Sequence, residues 1–141
     1  MKVFTRKEAR VLMGGDIFIP FFYTHIEEKA FYKRKNITGV TLSSSINSIG
    51  DYAFWGCKNL RSISIHSSVK WIGKNVFDGC DELRVECTRD STAHHYCREN
   101  KINVKLRPNM FNRVLQVITL DKNENEYGYE YEDWQDYEDD D

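Results

Sequence analysis

Residues 45–60 read SINSIGDYAFWGCKNL and residues 68–83 read SVKWIGKNVFDGCDEL, nearly the same text in register 23 residues apart. Seven of the sixteen aligned positions are identical: Ser45 and Ser68, Ile49 and Ile72, Gly50 and Gly73, Phe54 and Phe77, Gly56 and Gly79, Cys57 and Cys80, Leu60 and Leu83. Most of the apolar differences exchange one aliphatic residue for another. A fixed short period of this kind marks a stacked array in which each unit covers its neighbour. Moving upstream by one period gives a third copy, IFIPFFYTHIEEKAFYKRKNI (residues 17–37), which places Ile17, Ile19, Tyr23, Ile26, Ala30, Phe31 and Ile37 opposite Val40, Leu42, Ile46, Ile49, Ala53, Phe54 and Leu60. A fourth copy begins at Leu83 and stops after the short strand-like piece LRVECT.

A unit this short buries too few apolar side chains to offset the entropy of ordering its backbone, so no copy folds alone. Stacking solves this. The predicted strands then lie about 4.8 Å apart in one narrow parallel sheet, with Phe31, Phe54 and Phe77 superposed as an aromatic spine on the side away from it. Glycines 50, 56, 73 and 79 allow the chain to turn where a Cβ would clash.

The pattern within a copy is L-x-x-I-x-I, a polar turn, V-x-x-I-G, A-F and then G-C. It resembles the BspA-type bacterial leucine-rich repeat, from residue 17 to about residue 106, most specifically in IGDYAF, IGKNVF and their following Gly-Cys pairs. The closing DSTAHHYCRENKINVKL is similar to the helix and strand that finish such arrays. The first copy departs from the pattern, with Glu27 where Gly50 and Gly73 stand and Lys33 and Arg34 in place of Gly-Cys; atypical end units are the rule in repeat arrays. The resemblance implies an α/β repeat solenoid, a short leucine-rich-repeat array used for recognition.

Both ends read as closed. Thr5-Arg6-Lys7-Glu8 is a capping-box sequence, and Ala9, Leu12 and Met13 recur at helical spacing before Gly14 and Gly15, so residues 5–13 are predicted as a helix over the first coil. At the far end Ala93, Tyr96 and Cys97 share one face of a second helix beginning near Asp90 or Ser91. The organisation expected is an N-terminal capping helix (1–16), the array with its terminal helix and strand (17–106), a β-hairpin (107–132) and an acidic tail (133–141). RVLQVITL (residues 113–120) is rich in β-branched residues, and EYGYEYEDW alternates Tyr127, Tyr129 and Tyr131 with glycine and acids at a period of two. An apolar strand followed by a loose acidic tail is the alternative for that segment.

The chain has 141 residues with a formal charge of -2 that hides an asymmetry. Residues 1–120 carry 19 Lys and Arg against 11 Asp and Glu, a balance of +8, whereas residues 121–141 carry 1 against 11, a balance of -10. There is no apolar run of membrane-spanning length, and the N-terminal MKVFTRKEARVLMGGD scatters charge where a signal peptide needs an unbroken apolar core; a cytoplasmic location is expected. The four cysteines (57, 80, 87, 97) are read as small buried apolar groups and not as a disulfide framework. Cys87, His94, His95 and Cys97 do not follow a zinc-ligand spacing, and neither a metal nor a cofactor is expected.

No phosphate-binding Gly-rich loop, nucleophile elbow or H-E-x-x-H pattern occurs, and no catalytic residue is assigned. His66 is expected to end a strand on the exposed sheet edge. Function then rests on surfaces. Outward positions of the sheet are Asp16 and Phe18, Gly39 and Thr41, Ser62 and Ser64, Arg84 and Glu86. Four such strands make a face of about 250 Å², against about 800 Å² per partner in a standard interface, so a second surface must contribute. The Tyr-rich acidic segment is the candidate, since Tyr and Trp give contact area at low entropic cost.

The first reading is a non-catalytic module that binds a protein partner through Phe18, Thr41, Ser62, Ser64, His66 and Arg84 together with Tyr127, Tyr129, Tyr131 and Trp134. A second reading treats the acid-aromatic tail as a nucleic-acid mimic that blocks a nucleic-acid-binding enzyme, in the manner of a small phage-type inhibitor. A third has the basic body (Lys33, Arg34, Lys35, Lys58, Lys70, Lys74) binding nucleic acid under inhibition by the tail; it is least favoured because those residues are expected on convex turns without aromatic platforms. Pairing with a copy of itself, through an end of the array or the hairpin, stays open.

Overall fold

Each of the first three copies contributes two strands to the fold, and the partial fourth contributes one. A computed structural model of the protein describes residues 2–107. In chain order these form β1 (Val3–Phe4), α1 (Arg6–Arg10), β2 (Gly15–Ile19), β3 (His25–Ile26), β4 (Ile37–Leu42), β5 (Ser48–Ile49), β6 (Ser62–Ser64), β7 (Trp71–Ile72), β8 (Arg84–Thr88), α2 (Thr92–Glu99) and β9 (Asn103–Arg107). The expected sheet is the five-stranded one, ordered β2-β4-β6-β8-β9 and parallel throughout. A second, four-stranded sheet of two-residue strands, ordered β1-β3-β5-β7, runs beside it and corrects the expectation of a single sheet. β3, β5 and β7 are the V-x-x-I-G pieces of the three copies and β1 precedes them, all too short for an alternation of period two to announce them.

Between the sheets and the convex turns lies one core. Ile19, Ile26, Phe31, Ile37, Leu42, Ile46, Ile49, Phe54, Leu60, Ile63, Ile65 and Val69 are its largest fully buried side chains. The phenylalanine spine is present: the Phe31 and Phe54 rings stack with centroids 5.0 Å apart and Phe54 and Phe77 with centroids 5.7 Å apart. It is longer than the repeats alone predict. Phe4 stacks on Phe31 at 5.5 Å, and Tyr96 of α2 meets Phe77 edge-on at 6.3 Å.

The seven identical positions each serve contact between coils or the core beneath it. The Ser45 hydroxyl donates to the Tyr23 carbonyl at 2.6 Å and that of Ser68 to the Ile46 carbonyl at 2.8 Å. The Cys57 and Cys80 thiols donate to the carbonyls of Phe31 and Phe54, both at 3.1 Å. Ile49 and Ile72 pair across the small sheet, and Leu60 and Leu83 are buried. Gly50 and Gly73 mark where successive coils pass closest: a Cβ on either would stand 2.6 Å from the backbone nitrogen of Glu28 or Asp51. No side chain fits there, and the approach lets the Gly50 and Gly73 N–H groups donate to Ile26 and Ile49, each at 2.9 Å.

The first helix is shorter than the predicted span of 5–13. The capping box forms, with the Thr5 N–H donating to the Glu8 carboxylate at 2.8 Å and the Glu8 N–H to the Thr5 hydroxyl at 3.2 Å. The helix ends at Arg10, however, and Met13, predicted on its inner face, is exposed. Arg34 explains the early stop, because its guanidinium donates to the carbonyls of Ala9 at 2.6 Å and Leu12 at 3.0 Å. α2 begins where expected, with the Ser91 hydroxyl accepting from the His94 N–H. The hairpin expected over 107–132 and the tail of 133–141 lie outside the described residues, apart from Arg107 at the end of β9.

Candidate functional site

The register of the five-stranded sheet sorts its residues into rows. Ile17, Val40, Ile63, Val85 and Val104 are partners across it and point into the core, as the alternation of a strand requires. The outward rows on either side are Asp16, Gly39, Ser62, Arg84 and Asn103, and Phe18, Thr41, Ser64, Glu86 and Lys105. Of the residues predicted for binding, Phe18, Thr41, Ser62, Ser64 and Arg84 therefore share one face. Tyr127, Tyr129, Tyr131 and Trp134 lie outside the described residues.

Several of these side chains already have partners. Arg107 donates to the Ser64 hydroxyl at 2.7 Å and to the Ile65 carbonyl at 2.8 Å, and its guanidinium lies 3.9 Å from the Glu86 carboxylate. The Asp16 carboxylate accepts from the Thr38 hydroxyl at 3.1 Å and lies across Gly39, where an added Cβ would stand 2.6 Å from it. Gly39 is thus a floor under Asp16 and not merely a small residue facing solvent.

His66 does not end a strand on an exposed edge. It follows β6, the central strand of the five, and is half-buried. Burial lowers its pKa, the Arg107 cation lowers it further and the Glu86 carboxylate opposes them, so the ring is neutral at physiological pH. The other cysteine and histidine candidates are core groups. Cys87 and Cys97 are buried, and burial pushes the Cys87 thiol up to about 12. His94 is buried and its Nδ1 accepts from the Asp90 N–H at 2.9 Å. Among the described residues no group of three or more His, Cys, Asp or Glu side chains is placed to hold a metal ion.

Two exposed features escaped the sequence. Phe21 and Phe22 are 76 % and 51 % exposed and join Phe18, at 61 %, on the first coil. The signal was visible in PFF (residues 20–22), since two adjacent aromatics cannot both enter a one-sided core. Trp71, on the open edge of β7, is also exposed. The second feature lies on the convex turns. Tyr32 and Trp55, one period apart, stack with centroids 5.0 Å apart. Lys29 stands over Tyr32 and Tyr52, Lys33 over Tyr32 and Trp55, and Lys74 over Tyr52, at 5.4–5.9 Å from the ring centres. Basic turns without aromatic platforms were expected; the rings are there, because the positions after each buried phenylalanine superpose just as the phenylalanines do.

A match to a known family agrees with this geometry. A family model described as "BspA type Leucine rich repeat region (6 copies)" matches residues 15–100. The chain is similar to a solved structure of a leucine rich cell surface protein from Faecalibacterium prausnitzii A2-165, at 25% identity and a TM-score of 0.46, over 59% of this chain and 27% of that one. The chain thus spans about a quarter of the length of that structure. No curated protein matches it.

Proposed function

The chain belongs to the family of proteins built from BspA-type leucine-rich repeats, and on that premise we propose that it is a non-catalytic module that binds a protein partner through the outer face of its five-stranded sheet. The observation that carries the reading is the pair of aligned outward rows, small and polar at Thr41, Ser62 and Ser64 and bordered by the exposed Phe18, Phe21 and Phe22. Small residues let a partner approach the strands closely, and exposed aromatics are the side chains that anchor interfaces. The face alone is small against a standard interface. The Tyr-rich acidic segment with Tyr127, Tyr129, Tyr131 and Trp134 supplies the remaining contact in this proposal, and the setting is cytoplasmic.

The test is affinity capture with the whole chain as bait, beside variants S62R/S64R and F18S/F21S/F22S whose folding is checked by thermal melting. A protein retained by the parent and lost by either folded variant supports the reading; equal retention by all three overturns it. Acid-aromatic alternation at a charge of -10 favours, as the second reading, a nucleic-acid-binding protein as that partner. Capture that disappears at high salt supports the second reading and capture insensitive to salt removes it.

A further inference from the structure

The convex ridge built by Tyr32, Tyr52 and Trp55 with Lys29, Lys33 and Lys74 has chemistry that the sheet-face reading does not use. The Tyr32 and Trp55 rings stack on each other along the array axis, the Lys33 ammonium lies beside the pair at 5.6 and 5.7 Å from the two centres, and Arg6 lies 5.7 Å from the Tyr32 centre. Lys33 and Lys74 are exposed, Lys29 is half-buried, and among the described residues none of the three ammonium groups forms an ion pair with a carboxylate. These ammonium groups, clustered on the ridge, make a surface for carboxylates.

We propose that the acidic segment of this same chain, residues 124–141, docks on that ridge. Charge complementarity selects it, because residues 121–141 hold 11 of the 22 acids of the protein and Tyr127, Tyr129, Tyr131 and Trp134 are spaced among them. Length permits it. Sixteen residues lie between Arg107 and Glu124, a reach of up to about 55 Å when extended, whereas five strands span only about 20 Å. The inference stands on the ridge alone and holds whichever partner the sheet face takes. Its consequence is that the segment is held against the body until a competing basic partner draws it away.

The test is zero-length carbodiimide cross-linking of the whole chain at low salt, with tryptic mass spectrometry and a mixture of isotopically labelled and unlabelled copies. The expected result is that Lys29, Lys33 and Lys74 join residues 124–141 in several-fold greater yield than Lys58 and Lys70, within one copy, with loss of the links in high salt. The K29Q/K33Q/K74Q variant, folded by circular dichroism, should leave links only at other lysines and make the tail several-fold more susceptible to protease. Links spread evenly over the exposed lysines, links between copies, or unchanged proteolysis of the variant would each overturn the proposal. So would single-stranded nucleic acid binding to the ridge of the parent chain that the same three substitutions abolish.

Discussion

The Phe54 ring lies on the Phe31 ring with centroids 5.0 Å apart and planes within 7° of parallel, and each belongs to a different copy of the repeat. Two coils are therefore joined through a contact that neither can make alone. The same relation continues from Phe54 to Phe77, so Phe54 is held on both faces. Phe54→Ala is expected to cost about 3–5 kcal/mol, measured as a drop in the urea midpoint with an unchanged slope. A loss confined to the small range of surface substitutions would show that the column does not carry the fold.

Gly73 tests the spacing of the coils. Its missing Cβ leaves room for the Asp51 backbone, 2.6 Å from where that atom would sit, so Gly73→Ala must push two coils apart over the whole stack. A loss of about 1–3 kcal/mol is expected from such overpacking. Thermal melting reads it.

The four thiols are all buried. The neighbouring Cys80 thiol, followed by burial, holds the Cys57 thiol protonated; the contact with Cys57 lowers Cys80 while its burial opposes, and burial raises Cys87 to about 12. Because the thiolate is the reactive form, modification by a thiol reagent at pH 8 should be slow in native protein and should follow global unfolding as denaturant is added. Rapid labelling of a single cysteine without denaturant would contradict the core placement.

Acid should weaken the fold in two stages. His66 and His94 have lowered pKa values, first through burial; Arg107 lowers His66 further, while Glu86 opposes at His66 and Asp90 at His94. The unfolded chain therefore takes up protons first, and stability falls as pH drops below about 6.5, the ordinary histidine value, until the folded histidines protonate as well. Glu8 is also lowered, by the Thr5 backbone hydrogen bond first and then by Tyr23, so its contribution is present above pH 4.5 and is lost below it as pH falls through its folded pKa. His66→Gln should flatten the first stage in a melting series from pH 8 to 5.

Most of the array was legible because its period is written into side chains that superpose. Gly50, Phe54 and Cys57 recur one period later as Gly73, Phe77 and Cys80, and the structure gives each a contact that needs the neighbouring coil. What escaped was chemistry outside the period. Glu27 stands in place of the glycine where β1 and the start of α1 pack against the first copy: its carboxylate accepts from the Arg6 N–H at 2.8 Å. Arg34 replaces the cysteine and, in the same way, turns to the end of α1. The second sheet escaped because two residues per strand carry no periodic signal, and the stack of Tyr32 on Trp55 because unlike residues occupy the repeated position.

Native-state hydrogen exchange tests the central claim most directly, that the coils are stable only as one stack. The N–H groups of Phe31, Gly50, Phe54 and Gly73 each bond to a carbonyl of an adjacent coil, at 2.7, 2.9, 3.1 and 2.9 Å. All four should exchange with a single opening free energy equal to that of global unfolding, and should shift together in Phe54→Ala. Separate opening energies for the coils, with only the substituted coil affected, would contradict it.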